Sequence, residues 1–311
     1  MTPQAPLVTL VTPTYNQARY LQKSLDSVLG QTYPDIEYIV INDGSSDDTE
    51  SVLSRYDGRV NWSTQANQGQ AATLNAGWKA AQGKYLGYLS SDDLLAPDAV
   101  ARLVAVLEQD PSAVCVYPDC DLIDEEGVVV KRGLCKGFDL DELVVRQECH
   151  IGPGALFRAD SFRRVGGWKS YLLLAPDREF WMRLAGEGHI RFLPEPLAAY
   201  RLHGQSISYQ STSDEQSREY LRVLDEYFAG DVAPSILLRK QESYAFAYFL
   251  MARNAMRGGR LLRGGRYYIE ACSRHRGFMH PRYLLQLLRN TLSKPIRVAM
   301  ARLRTRRLRA D

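Results

Sequence analysis

Two adjacent carboxylates, Asp92 and Asp93, follow the apolar run Tyr85 to Leu89. Neighbouring carboxylates repel each other, so they need a cation or a network of donors. A hard cation of the Mg²⁺ type takes one or two carboxylates and fills its shell with substrate phosphate oxygens. In an open α/β sheet, ligands bind beyond the carboxyl ends of the strands, where this pair falls. An isolated pair here would more often cap the helix that starts near Pro97. Other polar groups also sit at element ends. Asn42-Asp43-Gly44-Ser45-Ser46-Asp47 closes a second apolar run, Asp177 and Glu179 open a helical segment, and Arg201 and His203 end a late strand. There is no Gly-rich phosphate loop, no G-x-G-x-x-G after a strand and no serine elbow. A phosphate-bearing ligand must therefore be held mainly by a cation and side chains.

The elements that would position these groups alternate. Apolar runs at residues 7–12, 36–41 and 85–89, with a weaker one at 59–63, read as strands. Helical spacing fills the gaps: Ala18 to Gly30, a segment ending near Tyr56, and Ala71 to Ala81. This β-α-β-α-β-α-β order predicts a Rossmann-like α/β fold, a mostly parallel sheet flanked by helices. Further strands are expected at 113–117, 155–158 and 196–203, with helices from Pro97 to Glu108 and from Asp177 to Ala185. The polar stretch 121–150 is left unassigned. From about Ser213 the periodicity is helical throughout. The expected division is a catalytic domain over residues 1–210 and a C-terminal helical extension over residues 211–311.

The chain has 311 residues, 45% of them apolar and 24% charged, which is ordinary for a soluble globular protein. No run is long and apolar enough for a transmembrane helix, and Met1 to Leu7 lacks the features of a signal peptide. Five irregularly spaced cysteines fit free thiols in a reducing cytosol. The net charge of +3 is asymmetric: from Arg257 onward 15 Lys/Arg face two acids, +13, leaving −10 before it. Lys294 to Arg309 intersperses cations with Ile296, Val298, Met300, Leu303 and Leu308. Such a basic amphipathic stretch suits an anionic membrane surface, where each cation contributes about 1 kcal/mol. The expectation is a cytoplasmic enzyme, peripheral on the inner membrane face, with no nucleic-acid partner.

Taken in order, Thr12-Pro13-Thr14-Tyr15-Asn16, Gln31 to Glu37, Asn42 to Thr49, Asn67-Gln68-Gly69 with Asn75-Ala76-Gly77, Ser90 to Asp93, Gly166-Gly167-Trp168, Asp177 to Arg183 and Tyr200 to His203 resemble the family-2 glycosyltransferases of the GT-A fold. The resemblance spans roughly residues 7 to 205. Each motif alone is weak, but the ordered set is specific. It implies a nucleotide-diphosphate sugar donor with UDP or dTDP as the nucleotide, a divalent cation (Mn²⁺ or Mg²⁺), and transfer with inversion to a hydroxyl of a glycan or lipid-linked acceptor. Envelope polysaccharide synthesis is the expected setting.

The implied roles fall on matching positions. Pro13, Tyr15, Asp43, Asn67, Asn75 and Asp92 would bind the nucleotide, with Tyr15 stacking on the base. Asp93, Asp92 and His203 would hold the metal. Asp177 would be the catalytic base, since the attacking hydroxyl must lose a proton, and a helix N-terminus favours its ionised form. Arg201, Gly154, Trp168 and Glu179 would contact the diphosphate or the acceptor, with Glu179 the rival base. The pattern departs from the family at Asn42, Leu74, Ser90 and Pro176, which leaves base and sugar specificity open. A sugar-nucleotide nucleotidyltransferase is the first alternative, but it should carry a basic Gly-rich loop where Pro13 to Asn16 stand. A catalytically inactive nucleotide-sugar-binding protein is the second; the joint presence of Asp43, Asp93 and Asp177 argues against it.

Overall fold

The computed structural model describes residues 5–206 and 212–289. The chain divides into two compact units, Met1–Leu140 with Cys149–Tyr209, and Asp141–Glu148 with Gln210–Asp311. The first unit begins with β1 (Val8–Thr14), α1 (Ala18–Leu29), β2 (Ile36–Asn42), α2 (Thr49–Ser54), β3 (Asn61–Thr64), α3 (Gln70–Ala80) and β4 (Tyr85–Tyr88). Every residue of β1 is buried, as an interior strand covered on both faces requires. Helix α1 buries Tyr20, Leu21, Ser24, Leu25 and Val28, one face at helical spacing. Strands β3, β2, β1 and β4 are adjacent and parallel, with Thr14 beside Asn42 and Val11 beside Tyr88. Their carboxyl ends therefore open on one edge, carrying Tyr15, Asp43 and the acid pair.

Beyond β4 the sheet is mixed. Next in the chain come β5 (Leu94–Leu95), α4 (Ala99–Gln109), β6 (Ala113–Ile123), β7 (Val129–Lys131), α5 (Leu140–Val144), β8 (Leu156–Arg158), α6 (Ala159–Val165), α7 (Pro176–Leu184) and β9 (His189–Arg201). The sheet order is β3-β2-β1-β4-β8-β6-β9-β5, with β7 paired to β6. Strand β8 runs antiparallel to both β4 and β6, and β5 antiparallel to β9. Gly87 makes the β4–β8 approach possible, because a Cβ there would lie 2.6 Å from Leu156 Cδ2.

Several boundaries differ from the sequence expectation. Strand β5 separates Asp93 from α4, and β6 and β9 run to 11 and 13 residues. Within β6 the polar Asp119 and Asp121 accept hydrogen bonds from the backbone N–H groups of Cys135 at 2.9 Å and Gly133 at 3.2 Å. They belong to a strand, yet they mask its apolar pattern.

The second unit is helical: most of α5, then α8 (Asp214–Ser217), α9 (Glu219–Ala229), α10 (Pro234–Leu237), α11 (Lys240–Arg257) and α12 (Leu261–Arg274), and helical residues 281–289. Phe278 packs among Phe246, Phe249 and Tyr283. No helix among the described residues is long and apolar enough to cross a membrane. The basic stretch Lys294 to Arg309 lies outside the described residues.

Candidate active site

Asp93 is 3% exposed, and its Oδ1 accepts the backbone N–H of Arg201 at 2.9 Å. Burial and the adjacent charge of Asp92 push its carboxyl well above the usual range, partly opposed by the Arg201 backbone N–H and charge. Asp92 bonds through Oδ2 to His203 Nε2 at 2.8 Å. Asp93 Oδ2 and Asp92 Oδ1 make no hydrogen bond among the described residues. Two carboxylate oxygens so disposed, with one carboxyl unfavourable in its ionised form, fit a hard divalent cation.

His203, the third expected metal ligand, lies beside Asp92. Its Nδ1 accepts the Gln205 N–H at 3.3 Å, which leaves the proton on Nε2 to be donated to Asp92. The ring is buried against Tyr20, with centroids 4.7 Å apart. In this arrangement His203 positions Asp92, since both ring nitrogens are engaged. Arg201 is similarly internal, at 1% exposure. Its Nε donates to the Asp92 carbonyl at 2.8 Å, and Nη1 to the carbonyls of Asp124 at 2.9 Å and Glu125 at 3.2 Å. Its guanidinium lies 5.2 Å from the Tyr20 ring centroid. Only Nη2 is buried without a partner, leaving its two N–H donors unassigned.

At the carboxyl edge of β1 and β2, Tyr15 is 50% exposed. Asn16 takes a left-handed φ of 52° and accepts the Ser46 N–H through Oδ1 at 2.8 Å. This pins the turn and leaves the Tyr15 ring outward. Pro13 is buried within β1. Asp43 accepts three hydrogen bonds: Gln65 Nε2 at 2.8 Å and the Gln68 N–H at 2.9 Å on Oδ1, and the Gly69 N–H at 2.8 Å on Oδ2. It thus lashes down the 65–69 loop, on which Asn67 is exposed. The Thr14 hydroxyl is buried without a partner.

Asp177 opens α7, behind Pro176 in the first turn, and is partly buried. Burial raises its carboxyl, opposed by the Arg178 charge and by the backbone N–H groups of Arg178 and Asp177 itself. Tyr88, which the sequence reading passed over, joins the two carboxylate regions. Burial drives its phenol well up, followed by the charges of Asp177, Cys149, Asp93 and Tyr200. Its position as the last residue of the strand before the acid pair was the available signal.

Three expected contacts serve other ends. Glu179 is 6% exposed and grips Arg183 at 2.5 and 2.6 Å, while Arg183 reaches the carbonyls of Val165, of Gly166 at 3.1 Å and of Gly167 at 2.7 Å. Glu179 therefore braces the 165–167 turn and is not free to act as a base. Gly154, at φ 86°, is buried, and a Cβ there would meet Leu95 Cδ2 at 2.8 Å. It is a packing position, with no free face for an acceptor. Asn75 donates through Nδ2 to the Trp168 carbonyl at 2.7 Å and accepts the Trp168 N–H at 2.9 Å. Its amide thus clamps the Gly166-Gly167-Trp168 loop. Trp168 stacks edge-on to Tyr88 at 5.2 Å and Trp78 at 5.9 Å, and its indole N–H is buried without a partner.

Comparison with known proteins gives the family and the fold. The model of the family described as Glycosyl transferase family 2 matches residues 9–166. An uncharacterized glycosyltransferase of Rickettsia prowazekii is 30% identical over 223 residues, covering 70% of each chain. S. aureus TarS, solved in complex with UDP-GlcNAc, superposes with a TM-score of 0.68 at 17% identity, covering 93% of this chain and 88% of its own. The mannosyltransferase PcManGT from Pyrobaculum calidifontis, in complex with GDP-Man and Mn²⁺, gives 0.58 at 18% identity, with 93% and 88% covered. The fold of the chain is thus the GT-A fold.

Proposed function

From the premise that this chain belongs to glycosyltransferase family 2, we propose that it transfers a sugar, with inversion, from a nucleotide-diphosphate sugar to a hydroxyl of a glycan or lipid-linked acceptor. The observation that carries this is the carboxylate arrangement: buried Asp93, whose ionised form is disfavoured, beside Asp92, with Asp93 and Asp177 both acting on Tyr88.

Asp93 and Asp92 would hold a divalent cation, Mn²⁺ or Mg²⁺. That cation supplies charge neutralisation at the leaving diphosphate. His203 and Arg201 keep the pair in register from behind. Tyr15 stacks on the nucleobase, which is uracil or thymine. Asp43 shapes the loop that borders it and offers the base N–H a remaining acceptor lone pair. Asn67 is a further contact from that loop. Asp177 takes the proton from the attacking hydroxyl, and its raised carboxyl brings its basicity closer to the task. Asn75 and Glu179 act through the 165–168 turn, which seats Trp168 against Tyr88.

The setting we propose is the cytoplasmic face of a membrane, with the acceptor an envelope polysaccharide or its lipid-linked precursor. The support is the charge of the C-terminal part, together with exposed Leu284, Leu285 and Leu288 on helical residues that also expose Arg282 and Arg289. The test is a thermal-shift panel of UDP-, dTDP- and GDP-sugars with and without Mn²⁺, because a ligand bound only by the native state raises Tm. One donor stabilising the protein only with the cation is expected. No donor doing so at millimolar concentration would sink the reading.

A further inference from the structure

Two cysteines that the proposed reaction does not use lie in contact inside the first unit. Cys120 Sγ and Cys135 Sγ are 3.5 Å apart, both as free thiols. Cys120 is on β6 and 2% exposed, whereas Cys135 is partly exposed on the segment after β7. Three hydrogen bonds hold the two backbones side by side. Leu134 N–H donates to the Cys120 carbonyl at 2.9 Å, Cys135 N–H to Asp119 Oδ1 at 2.9 Å, and Gly133 N–H to Asp121 Oδ1 at 3.2 Å. Above the pair stands Gly152, where a Cβ would come within 2.8 Å of Cys135 Sγ and 3.0 Å of Cys120 Sγ. Only a glycine lets that backbone cover both sulfurs.

We propose that Cys120 and Cys135 form a modification site, a dithiol that small disulfides such as oxidised glutathione convert to an intramolecular disulfide. A disulfide needs about 2.05 Å between sulfurs, so closure asks for about 1.5 Å of travel. The more exposed loop, rather than β6, is the side that can move.

The two thiols have unequal parts. Cys135 is held below its ordinary thiol value, first by the hydrogen bond from Cys120 and also by backbone N–H groups, including that of Gly152, while Cys120 is pushed up. Cys135, the more exposed of the two, is the attacking thiol and the buried Cys120 the resolving thiol. Cys135 sulfur attacks one sulfur of oxidised glutathione, forming a mixed disulfide and releasing one glutathione thiolate. Cys120 then gives its proton to solvent and attacks the Cys135 sulfur, releasing the second glutathione. Two protein thiols are oxidised by two electrons, and one glutathione disulfide is reduced to two thiols. The new bond draws the sulfurs from beneath Gly152 and disturbs residues 150–156, which lead into β8. Any effect on turnover rests on the glycosyltransferase reading; formation of the bond does not.

The experiment treats the full chain with excess oxidised glutathione, alkylates the remaining thiols, and maps peptides by mass spectrometry. Alkylatable cysteines should fall from five to three, with a loss of about 2 Da and a linked Cys120–Cys135 peptide. Hydrogen exchange over residues 150–156 should change on oxidation. Cys135→Ser and Cys135→Ala should each prevent the bond, and Cys272→Ser should leave it intact. Five alkylatable thiols after treatment, a persistent glutathione adduct on Cys135, or a bond through Cys149 would each overturn the proposal. The wild-type map decides even if a variant folds poorly.

Discussion

Replacing Asn75 by alanine separates a clamp from a nucleotide contact. The amide makes two hydrogen bonds, 2.7 and 2.9 Å, to the carbonyl and N–H of one residue, Trp168. A net hydrogen bond contributes about 0.5–1.5 kcal/mol, so losing both removes about 1–3 kcal/mol, and more if the freed backbone groups stay dry. For a chain of this size that is a fall in Tm on the order of 2–8 °C. The neighbourhood has little room to compensate, since a Cβ on Gly167 would lie 2.0 Å from Asn75 Oδ1. The loop would loosen, and Trp168 with it. The expected pattern is a lower Tm, a changed tryptophan emission, turnover reduced at least tenfold, and nucleotide affinity within twofold of wild type. Calorimetry with UDP and Mn²⁺ alongside thermal melts gives all but the turnover. An unchanged Tm together with a tenfold loss of UDP affinity would refute the clamp and return Asn75 to the nucleotide.

Asp93→Asn keeps an oxygen for the Arg201 N–H but removes the charge that burial and Asp92 oppose. Because the folded-state carboxyl is raised, its contribution to stability is present below the unfolded value near 3.9 and lost as pH rises through the folded one. The variant should therefore melt higher than wild type at neutral pH without metal, converge with it in acid, and gain nothing from Mn²⁺; melts across pH check this. Asp177→Asn should lose about 10²–10⁴-fold in transfer with donor affinity retained, and the acid limb of the wild-type rate profile should fall above the ordinary aspartate range, since its carboxyl is raised. Glu179→Gln should keep transfer within about threefold while lowering stability by about 1–2 kcal/mol through the weakened Arg183 brace, as urea melts would read. Replacing exposed Leu285 and Leu288 by glutamate in the full chain should reduce co-sedimentation with anionic vesicles at low salt; unchanged binding would remove that face from the docking surface.

The parallel half of the sheet was legible because β1, β2 and β4 are apolar runs closed by polar turns, with helices of clear period between them. The other half was hidden. Strand β6 carries Asp119 and Asp121, which bond to the 133–135 backbone, and the expected start of β9 fell seven residues late because exposed residues fill its early part. The site followed the same division. Asp92, Asp93 and Asp177 could be picked out because their types suit the chemistry and their places are element ends. The engagement of Asn75 by Trp168, of Asp92 by His203 and of Arg183 by Glu179 plus the 165–167 carbonyls depends on folded neighbours; the first two pairs lie 93 and 111 residues apart. Local spacing carries no trace of such long-range partners. Tyr88 escaped because a tyrosine closing an apolar strand reads as core, and only the fold brings its phenol within the influence of the Asp177 and Asp93 charges.

Metal, base and donor are separated by measuring donor binding and turnover in wild type, Asp93→Asn and Asp177→Asn, with a matching nucleotide sugar, with Mn²⁺ and with chelator. Three distinct outcomes are expected. Wild type binds and turns over only with the cation, Asp93→Asn loses cation-dependent binding, and Asp177→Asn binds as wild type does but turns over at least a hundredfold more slowly. Full wild-type activity in excess chelator, or more than half of wild-type turnover by Asp177→Asn, would contradict these assignments.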